Sequence, residues 1–450
     1  MSNSTGQPTA PAVPDDGRRW DDMRLVAVRL VDEAKTAGAV HAEVLLRRRC
    51  RRVTEDRGPI VGPLWDDRIS IRCTDKSGRV GKATGAWREA SKVIKKAVSS
   101  CTGPASSAEG PVDRMDMQDR GLGIDDPRLP RVTDEERRAT IDDNRAGVAV
   151  IDRSLEVRSL AYYEEREERA FANSGQVSAL ETSTRFSIRG AVAVAGTKSA
   201  VDGMIASRSF AEVSSRPLGV DLARACLALR QAATLPEGPC AVVLGPRAVA
   251  RILEGLLPAF SSEAIAAERS FLTGRIGRKI GGSALHMIDD ASRMGGLGTR
   301  AFDDRGTPSV PIPLIKEGVA AGVYQGPLTA AQRETRPSGH SRFDDSLWAG
   351  NIIVRGGNRT RNMLFPDLGR FVLVEDVLDV SGIDPVSGQI RIPVTALVHE
   401  GTAALGNPGV LTLACTAEEL FSSVEAVVSD QQRNGLVDTG TWILDGVGFA

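Results

Sequence analysis

The sequence predicts an α+β protein, with an N-terminal α/β domain built on a mixed sheet with flanking helices and a C-terminal β-rich domain. Two patterns favour this class. In the first half, stretches with helical spacing of apolar residues alternate with strand-like stretches, whereas short apolar runs separated by Gly, Pro, Asn and Asp fill most of the second half. The length of 450 residues suggests about two or three domains.

The N-terminal domain should follow a disordered tail, residues 1–18, which is rich in Pro, Ser and Thr. Apolar residues at helical spacing, or the capping signature Thr133-x-x-Glu136, mark four helices. These helices are predicted at residues 21–37, 86–100, 133–146 and 221–233. Alternating apolar residues predict strands at residues 42–46, 68–74 and 80–84 and within 149–195, where Asn173-Ser174-Gly175 makes a turn.

A domain boundary is predicted at the segment Leu235-Pro236-Glu237-Gly238-Pro239, which gives an N-terminal domain over residues 19–235 and a C-terminal domain over residues 236–450. A strand at residues 241–244 and a helix with Pro246 in its first turn open the second domain. The remaining predicted strands are residues 311–315, 351–354, 370–374, 390–397 and 409–413, and one helix is predicted at 417–428.

The composition excludes several classes of protein. A formal net charge of -1 argues against a general electrostatic attraction to nucleic acid or to an anionic membrane. The basic run at residues 47–52 is interpreted as a solvated strand end or loop, with a polyanion site as the alternative. Six scattered cysteines, no signal peptide and no apolar run of about 18 residues together predict a cytoplasmic protein with reduced thiols.

The histidines do not form a zinc-binding pattern. His399-Glu400 would need a second His at position 403 or 404 to make a metallopeptidase helix, and both positions are alanine. The surrounding sequence favours a strand and a turn. The four histidines in the chain are His41, His286, His340 and His399, and none lies at helical spacing from another. The sequence therefore predicts no dedicated metal site.

Other candidate groups have structural explanations. Ser270 is the best-placed hydroxyl, but a cap or turn bond is favoured over nucleophilic attack. The loop that contains Gly295, Gly296 and Gly298 lacks the Lys-Ser/Thr of a phosphate loop, so close backbone approach or positive φ explains its glycines. The pairs Asp289-Asp290 and Asp303-Asp304 flank predicted turns, where aspartate bonds the local backbone, although paired carboxylates for acid–base chemistry remain an alternative.

Two sequence blocks indicate a family. The first block begins at Pro258 and reads PAFSSEAIAAERSFLTGRIG, and the second block ends at Pro308 and reads MGGLGTRAFDDRGTP. They resemble the PmbA/TldD family, and specifically its PmbA (TldE) branch, in the run Arg269-Ser270-Phe271-Leu272, in the glycines near 295 and in Phe302-Asp303-Asp304. The resemblance continues through IDPVSGQI at residues 383–390 and is looser in the N-terminal half.

The resemblance implies a subunit without catalytic chemistry. In that family the TldD branch carries zinc ligands on a helix with His-Glu-x-x-x-His spacing and on a later Cys. The matching stretch here, AVARILEGLLPAFSSEA, has no His, and its carboxylates are Glu254 and Glu263. The resemblance thus implies no catalytic or metal-binding residue and no cofactor in this chain, and zinc in a TldD-like partner of a heterodimeric metallopeptidase. Its substrates would be unfolded or short peptides, including modified peptide precursors.

Within this interpretation, Ser270, Gly295, Gly296 and Gly298 are the candidates for lining the substrate cleft. The expected partners are the TldD-like zinc subunit and a peptide, with no nucleic acid and no membrane, and a homodimer stays open. Two alternatives also stay open. The chain could be a peptide-binding or structural module without a peptidase partner, or an independent metal-free hydrolase that uses Ser270 or a carboxylate pair.

Overall fold

The computed structural model describes residues 22–102, 121–197, 200–238 and 240–449. The predicted tail at residues 1–18 lies outside the described residues, and so do Pro239 and most of the polar connection that precedes Thr133. The α+β class is confirmed, because helices and three separate β-sheets make up the fold.

The first sheet comes entirely from the N-terminal half and has six strands in the order β3-β2-β1-β4-β5-β6. Its strands are β1 His41–Glu55, β2 Ile60–Thr74, β3 Val80–Ala86, β4 Leu155–Asn173, β5 Ser178–Val194 and β6 Ala200–Ser207. Every pairing among them is antiparallel, so the predicted mixed sheet in this half is wrong. Short connections join four of the five neighbouring pairs, and a short connection between adjacent strands makes a hairpin.

Helices cover one face of this sheet. They are α1 Asp22–Thr36, α2 Ala90–Ser99, α3 Asp134–Ile151, α4 Phe210–Ser214 and α5 Leu218–Arg230. Even-numbered residues of β4 join both apolar clusters on that face: Ala170 packs with α1 and α2, and Tyr162 packs with α3 and α5. The predicted capping box of α3 is confirmed, since Thr133 and Glu136 bond each other's backbone N–H groups. The opposite face is left for other contacts.

The basic run at residues 47–52 lies within strand β1, not in a loop. Arg49 and Arg51 pair across the sheet with Glu165 of β4 at 3.4 and 2.5 Å, and Arg48 pairs with Asp67 of β2 at 3.1 Å. Because acidic side chains on the neighbouring strands neutralise the run, it does not form a free polyanion site in this structure. The strand interpretation is confirmed, but β1 extends nine residues beyond the predicted end at Leu46, from 47 to 55.

The second half holds two further sheets, and both contain parallel and antiparallel pairs. One has the order β10-β9-β8-β11-β18-β17, with β8 Met287–Asp289, β9 Ile312–Lys316, β10 Val319–Ala320, β11 Ile352–Val354, β17 Gln432–Asn434 and β18 Val437–Thr439. The other has the order β14-β13-β12-β7-β19-β16, with β15 beside β13. Its strands are β7 Ala241–Leu244, β12 Arg370–Val377, β13 Gln389–Glu400, β14 Ala403–Gly406, β15 Leu411–Thr416, β16 Val424–Val427 and β19 Trp442–Leu444.

Helices of the second half are short, apart from one that packs between the two sheets. They are α6 Pro246–Leu256, α7 Ser262–Ala266, α8 Pro327–Gln332, α9 Arg361–Leu364 and α10 Ala417–Ser422. Helix α6 contacts β12 of one sheet and β18 of the other, and its buried residues belong to the largest apolar cluster. The predicted helix at residues 417–428 is wrong beyond Ser422, because β16 follows and pairs with β19.

The strands of the first sheet lie within residues 41–207, and those of the other two sheets lie within residues 241–444. The domain limits at 19–235 and 236–450 stay predictions. Among the described residues, no helix is both long enough and apolar enough to cross a membrane.

Candidate functional site

The segment Phe302–Gly306, here called the aspartate loop, is folded by its first carboxylate. Asp303 is fully buried and accepts hydrogen bonds from the backbone N–H groups of Arg305, Thr307 and Ser341, each at 2.9 Å. Burial raises the pKa of Asp303 despite these bonds. The local turn role predicted for this aspartate is confirmed, and the carboxylate has no open side from which it could act on a substrate.

The second carboxylate of the aspartate loop binds the N-terminal sheet. Asp304 pairs with Arg169 of β4 at 2.9 Å and with Arg47 of β1 at 2.5 Å. Burial acts to raise the pKa of Asp304, but the charges of Arg169 and Arg47 outweigh it, so this pKa lies below its ordinary value. Asp303 and Asp304 therefore have separate structural roles and do not form a catalytic carboxylate pair.

Three further ion pairs join the same face of the first sheet to the C-terminal half. Arg305 of the aspartate loop donates two hydrogen bonds to Glu43 of β1, at 2.6 and 3.0 Å. Asp345 accepts from Arg72 of β2 at 2.7 Å and also contacts Lys82 of β3. Arg305, Glu43 and Arg72 are buried, whereas Asp345 and Lys82 are 34% and 30% exposed, so this interface is a partly buried ionic contact between the two halves of the chain.

The glycine loop before the aspartate loop allows close backbone packing. Gly295 has φ 66°, a conformation that glycine adopts without strain. A Cβ atom on Gly298 would lie 2.2 Å from the Gly350 carbonyl oxygen, and one on Gly296 would lie 2.4 Å from the side chain of Asn351. The Asn351 amide oxygen also accepts the Gly298 N–H at 2.9 Å. The close approach predicted for these glycines is confirmed.

Ser270 lies in a different environment from the glycine loop. Its hydroxyl donates to the Ala259 carbonyl at 2.7 Å and accepts from the Leu272 N–H at 3.0 Å, and the residue is buried. This turn-stabilising role is the one favoured from the sequence. The local turn role predicted for Asp289 and Asp290 is confirmed only for Asp290, which accepts the Ser292 N–H at 2.9 Å. Asp289 lies at the end of strand β8 and accepts the N–H of the distant Gly350 at 2.7 Å.

The stretch that would carry zinc ligands in a TldD-type helix is broken here into α6, a 3₁₀ turn Leu257–Phe260 and α7. Glu254 of α6 accepts the Leu436 N–H at 3.4 Å, and burial raises its pKa. Glu263 of α7 accepts from the hydroxyl groups of Ser262 at 2.9 Å and Thr329 at 3.1 Å. Both carboxylates are thus occupied by neighbouring groups, and the stretch supplies no imidazole or thiol.

The histidines do not compensate for that stretch. His399 lies on strand β13 and stacks on Phe371, with ring centroids 5.2 Å apart, and burial lowers its pKa, with a smaller effect from the charge of Arg361. Across the described ranges, no three His, Cys, Asp or Glu side chains form a group that could hold a metal ion. The described residues therefore offer no donor set that fits a hydrolytic zinc ion, which needs three protein ligands around one metal.

A cleft of about 460 Å³ lies next to the glycine and aspartate loops. One wall is the start of β5, residues 178–182, and another is residues 121–125, which lie between α2 and α3 in the sequence. The third wall comes from the C-terminal half and includes Ser292, Ala301, Phe302 and Ser309. Ser292 and Arg300 flank the glycine loop in the sequence and line the cleft, whereas Ser270, Gly295, Gly296 and Gly298 are not among its lining residues.

Strand β5 borders this cleft with an edge that β6 does not cover. Strand β4 pairs with β5 from Ser178 onward, but β6 pairs with it only from Phe186 onward. At the end of the covered part, Thr184 donates its N–H to the Ile124 carbonyl at 2.8 Å, and its carbonyl accepts from Arg208 at 2.9 Å. Beyond that point the edge faces the cleft.

Arg208 links the strand edge to the glycine loop, since its guanidinium also donates to the carbonyl oxygens of Gly296 at 3.1 Å and Leu297 at 2.7 Å. Arg208, Arg300 and the β5 edge were not predicted from the sequence. The alternation of apolar and polar residues could have predicted the length of β5. No local sequence signal marks the residue at which β6 stops covering β5.

Comparisons with known proteins agree with this architecture. Residues 237–450 match the family described as the PmbA/TldA metallopeptidase C-terminal domain. An uncharacterized protein of Methanocaldococcus jannaschii is 31% identical over 159 residues, which cover 34% of this chain and 37% of that protein. The match thus spans little more than a third of that relative's length.

Three solved structures share nearly the whole fold. A candidate modulator of a DNA gyrase from Thermotoga maritima superposes with a TM-score of 0.84 at 18% identity, covering 95% of this chain and 100% of its own. A candidate modulator of DNA gyrase from Bacteroides thetaiotaomicron gives 0.84 at 16% identity, covering 96% and 99%. TldE from Thermococcus kodakarensis gives 0.81 at 17% identity, covering 94% and 99%. Residues 237–450 therefore match the PmbA/TldA metallopeptidase C-terminal domain family, and nearly the whole chain has the fold of these three proteins.

Proposed function

We propose that this chain is the non-catalytic, TldE-like subunit of a heterodimeric zinc metallopeptidase, and that a TldD-like partner carries the zinc. The observation that carries the proposal is the chemistry of α6 and α7. Where a zinc-bearing helix would present imidazoles, this chain presents Glu254 and Glu263, and each is bonded to a neighbouring group. A hydrolytic zinc ion needs three protein ligands and an open position for water, so the hydrolytic chemistry belongs on another chain.

The role of this subunit would be to enclose and align peptides. The cleft of about 460 Å³ combines main-chain groups with apolar and polar side chains and has no metal ligand set in its walls. Such a surface suits the backbone of an extended chain more than one particular side chain. We expect unfolded or short peptides as substrates of the complex, including modified peptide precursors.

Co-expression tests this function. The zinc subunit alone, this chain alone and both together are assayed on an unstructured peptide, with and without a metal chelator. We expect chelator-sensitive cleavage by the pair, a stable complex on size-exclusion chromatography, and no cleavage by this chain alone. Chelator-resistant cleavage by this chain alone would overturn the proposal.

The two alternatives differ in observable ways. A peptide-binding module without a peptidase partner would bind peptide but have no neighbouring gene for a protein with His-Glu-x-x-x-His spacing. An independent hydrolase would need a free nucleophile, and the buried Ser270 hydroxyl already makes two hydrogen bonds, one to the Ala259 carbonyl and one from the Leu272 N–H. The bonding of Ser270 therefore favours the subunit over the hydrolase.

A further inference from the structure

A second cavity, of about 380 Å³, lies on the helix-covered face of the first sheet. Its floor includes a row of three strand residues, in which Cys50 of β1 lies opposite both Trp65 of β2 and Arg166 of β4. Residues within 129–134, at the start of α3, form another wall. The cavity shares no lining residue with the cleft, and its size falls in the range of about 300–1,000 Å³ that is usual for small-molecule sites.

One part of this cavity is apolar. Trp65 is 52% exposed, and Pro63, Leu129 and Pro130 line the space beside it. Burial raises the pKa of the Cys50 thiol, so this part of the floor carries no thiolate charge at neutral pH. An exposed indole next to proline rings offers an apolar surface that suits an aromatic ring, in offset-stacked or edge-to-face contact.

The other part of the cavity has more basic than acidic character. Arg137 of α3 holds the carboxylate of Glu164 with two hydrogen bonds, at 2.7 and 3.0 Å, and Tyr162 donates a third at 3.2 Å. Arg52 of β1 approaches the same carboxylate only with its Nε atom, at 3.5 Å. Two guanidinium groups therefore share one buried carboxylate, and the hydrogen bonds of that carboxylate go to Arg137.

Arg52 is left as a donor without an acceptor. Its side chain is 18% exposed, and nothing in the described part of the chain accepts a hydrogen bond from its guanidinium. The other acidic residues that line the cavity are paired elsewhere, because Asp134 bonds Arg137 at 2.7 Å and Glu165 pairs with Arg51 at 2.5 Å. A guanidinium with N–H groups to spare suits a carboxylate, which can accept two of them at once.

We propose that this cavity binds a small aromatic carboxylate, with its ring against Trp65 and its carboxylate on Arg52. Trp65 lies opposite Cys50, and Arg52 is the next residue of β1 on the same face, about 7 Å from Cys50 along the strand. A ring and a carboxylate joined by one or two carbon atoms can span that distance. The inference concerns a site outside the cleft and does not depend on a zinc-bearing partner.

An acid and its neutral amide test this site. The probes are 2-naphthylacetate and 2-naphthylacetamide, titrated into the full chain by isothermal titration calorimetry. We expect the acid to bind at least about tenfold more tightly than the amide, because only the acid brings a charge to Arg52. Arg52→Gln should remove that difference. Arg51→Gln, the matched loss of charge at the neighbouring, 53% exposed position, should preserve it to within about twofold.

Two further measurements locate the ligand. Trp65→Leu should weaken binding of both the acid and the amide by about fivefold or more, since both place a ring against the indole. In the unmodified chain the acid should slow amide hydrogen exchange within residues 129–134. Circular dichroism of each variant verifies that the sheet is intact, and if Arg52→Gln did not fold, the acid–amide comparison and the exchange measurement on the unmodified chain would still decide.

Three results would overturn the site: equal binding of acid and amide, an unchanged preference for the acid in Arg52→Gln, or slowed exchange at residues 178–182 of the cleft in place of 129–134. A fourth would overturn the assignment to a small molecule. In that case a peptide with a C-terminal aromatic residue would bind with the same dependence on Arg52 and Trp65, while 2-naphthylacetate would not bind.

Discussion

Replacing Arg305 by methionine should destabilise the fold by about 3–5 kcal/mol, because it leaves one buried carboxylate without its partner. Arg305 and Glu43 have side chains only 3% and 10% exposed, and two hydrogen bonds of 2.6 and 3.0 Å join them. Asp345, 3.8 Å from Arg305, keeps Arg72 as its partner in the variant. The group that loses its hydrogen bonds is therefore Glu43, which accepts both of them from Arg305.

A double replacement separates the orphaned charge from the lost contact. Changing Arg305 to methionine and Glu43 to leucine together removes both charges and fills similar volume, so most of the loss should return, to within about 1–2 kcal/mol of wild type. Arg51→Met is the matched control, since Arg51 also pairs with a glutamate, Glu165, but is 53% exposed. This control should cost about 0.5 kcal/mol or less.

Urea denaturation followed by far-ultraviolet circular dichroism and tryptophan fluorescence gives the free energy of unfolding of each variant. If Arg305→Met cost no more than the Arg51→Met control, the ion pair would not be desolvated, and the inferred burial of the Arg305–Glu43 contact between the first sheet and the aspartate loop would be refuted. A double variant as unstable as Arg305→Met would also contradict the reasoning, because the loss would then come from packing and not from an unpaired carboxylate.

Three other predictions concern single positions. Burial raises the pKa of Glu168 from 4.5 to about 7, so the folded chain binds the proton more tightly than the unfolded chain and stability falls as pH rises through that window. Glu168→Gln should flatten this dependence and be more stable than wild type by up to about 3 kcal/mol near pH 8, and parallel stability curves in urea at acid and alkaline pH would contradict it. Gly306→Ala should cost more than about 2 kcal/mol in thermal unfolding, because φ is 74° and the new Cβ would lie 2.2 Å from the Phe171 ring; the control Gly274→Ala, with φ 72° and open space, should cost only about 1 kcal/mol. Ser270→Ala should lower stability by about 1–2 kcal/mol through its two lost hydrogen bonds and leave the cleavage rate of the purified complex unchanged, whereas loss of cleavage would restore Ser270 as a catalytic candidate.

Local patterns predicted the elements whose physics is local. The capping box at Thr133 and Glu136 marks the start of α3, and strand β7 has the predicted bounds. The helix predicted after Thr416 was too long, because Leu420, Phe421 and Val424 fit a helical repeat. The same residues are buried in the shorter helix and the strand that the structure has there. Pairing of β16 with the distant β19 decides the outcome, and a local window does not contain that partner.

The lengths of the strongly charged strands β1 and β4 could have been predicted from the opposite signs of their charges. Arg47–Arg52 looks like a solvated run when taken alone, yet the sequence also carries an acidic run at Glu164–Glu168 that can face it across a sheet. The two runs lie opposite each other on β1 and β4, so each neutralises the other. Opposite charges in separate strand candidates are therefore a sign of pairing, and this sign would have extended β1 and β4 to their observed lengths.

The aspartate loop is connected to the residues that line the cleft by a chain of hydrogen bonds and ion pairs. Glu181 lies on β5 beside the open edge, accepts the Ala301 N–H and pairs with Arg169. Arg169 in turn pairs with Asp304 of the aspartate loop. A shift of the C-terminal half relative to the first sheet would therefore have to break buried ion pairs before it could widen the cleft. The aspartate loop therefore holds the C-terminal wall of the cleft, which includes Ala301 and Phe302, against the first sheet.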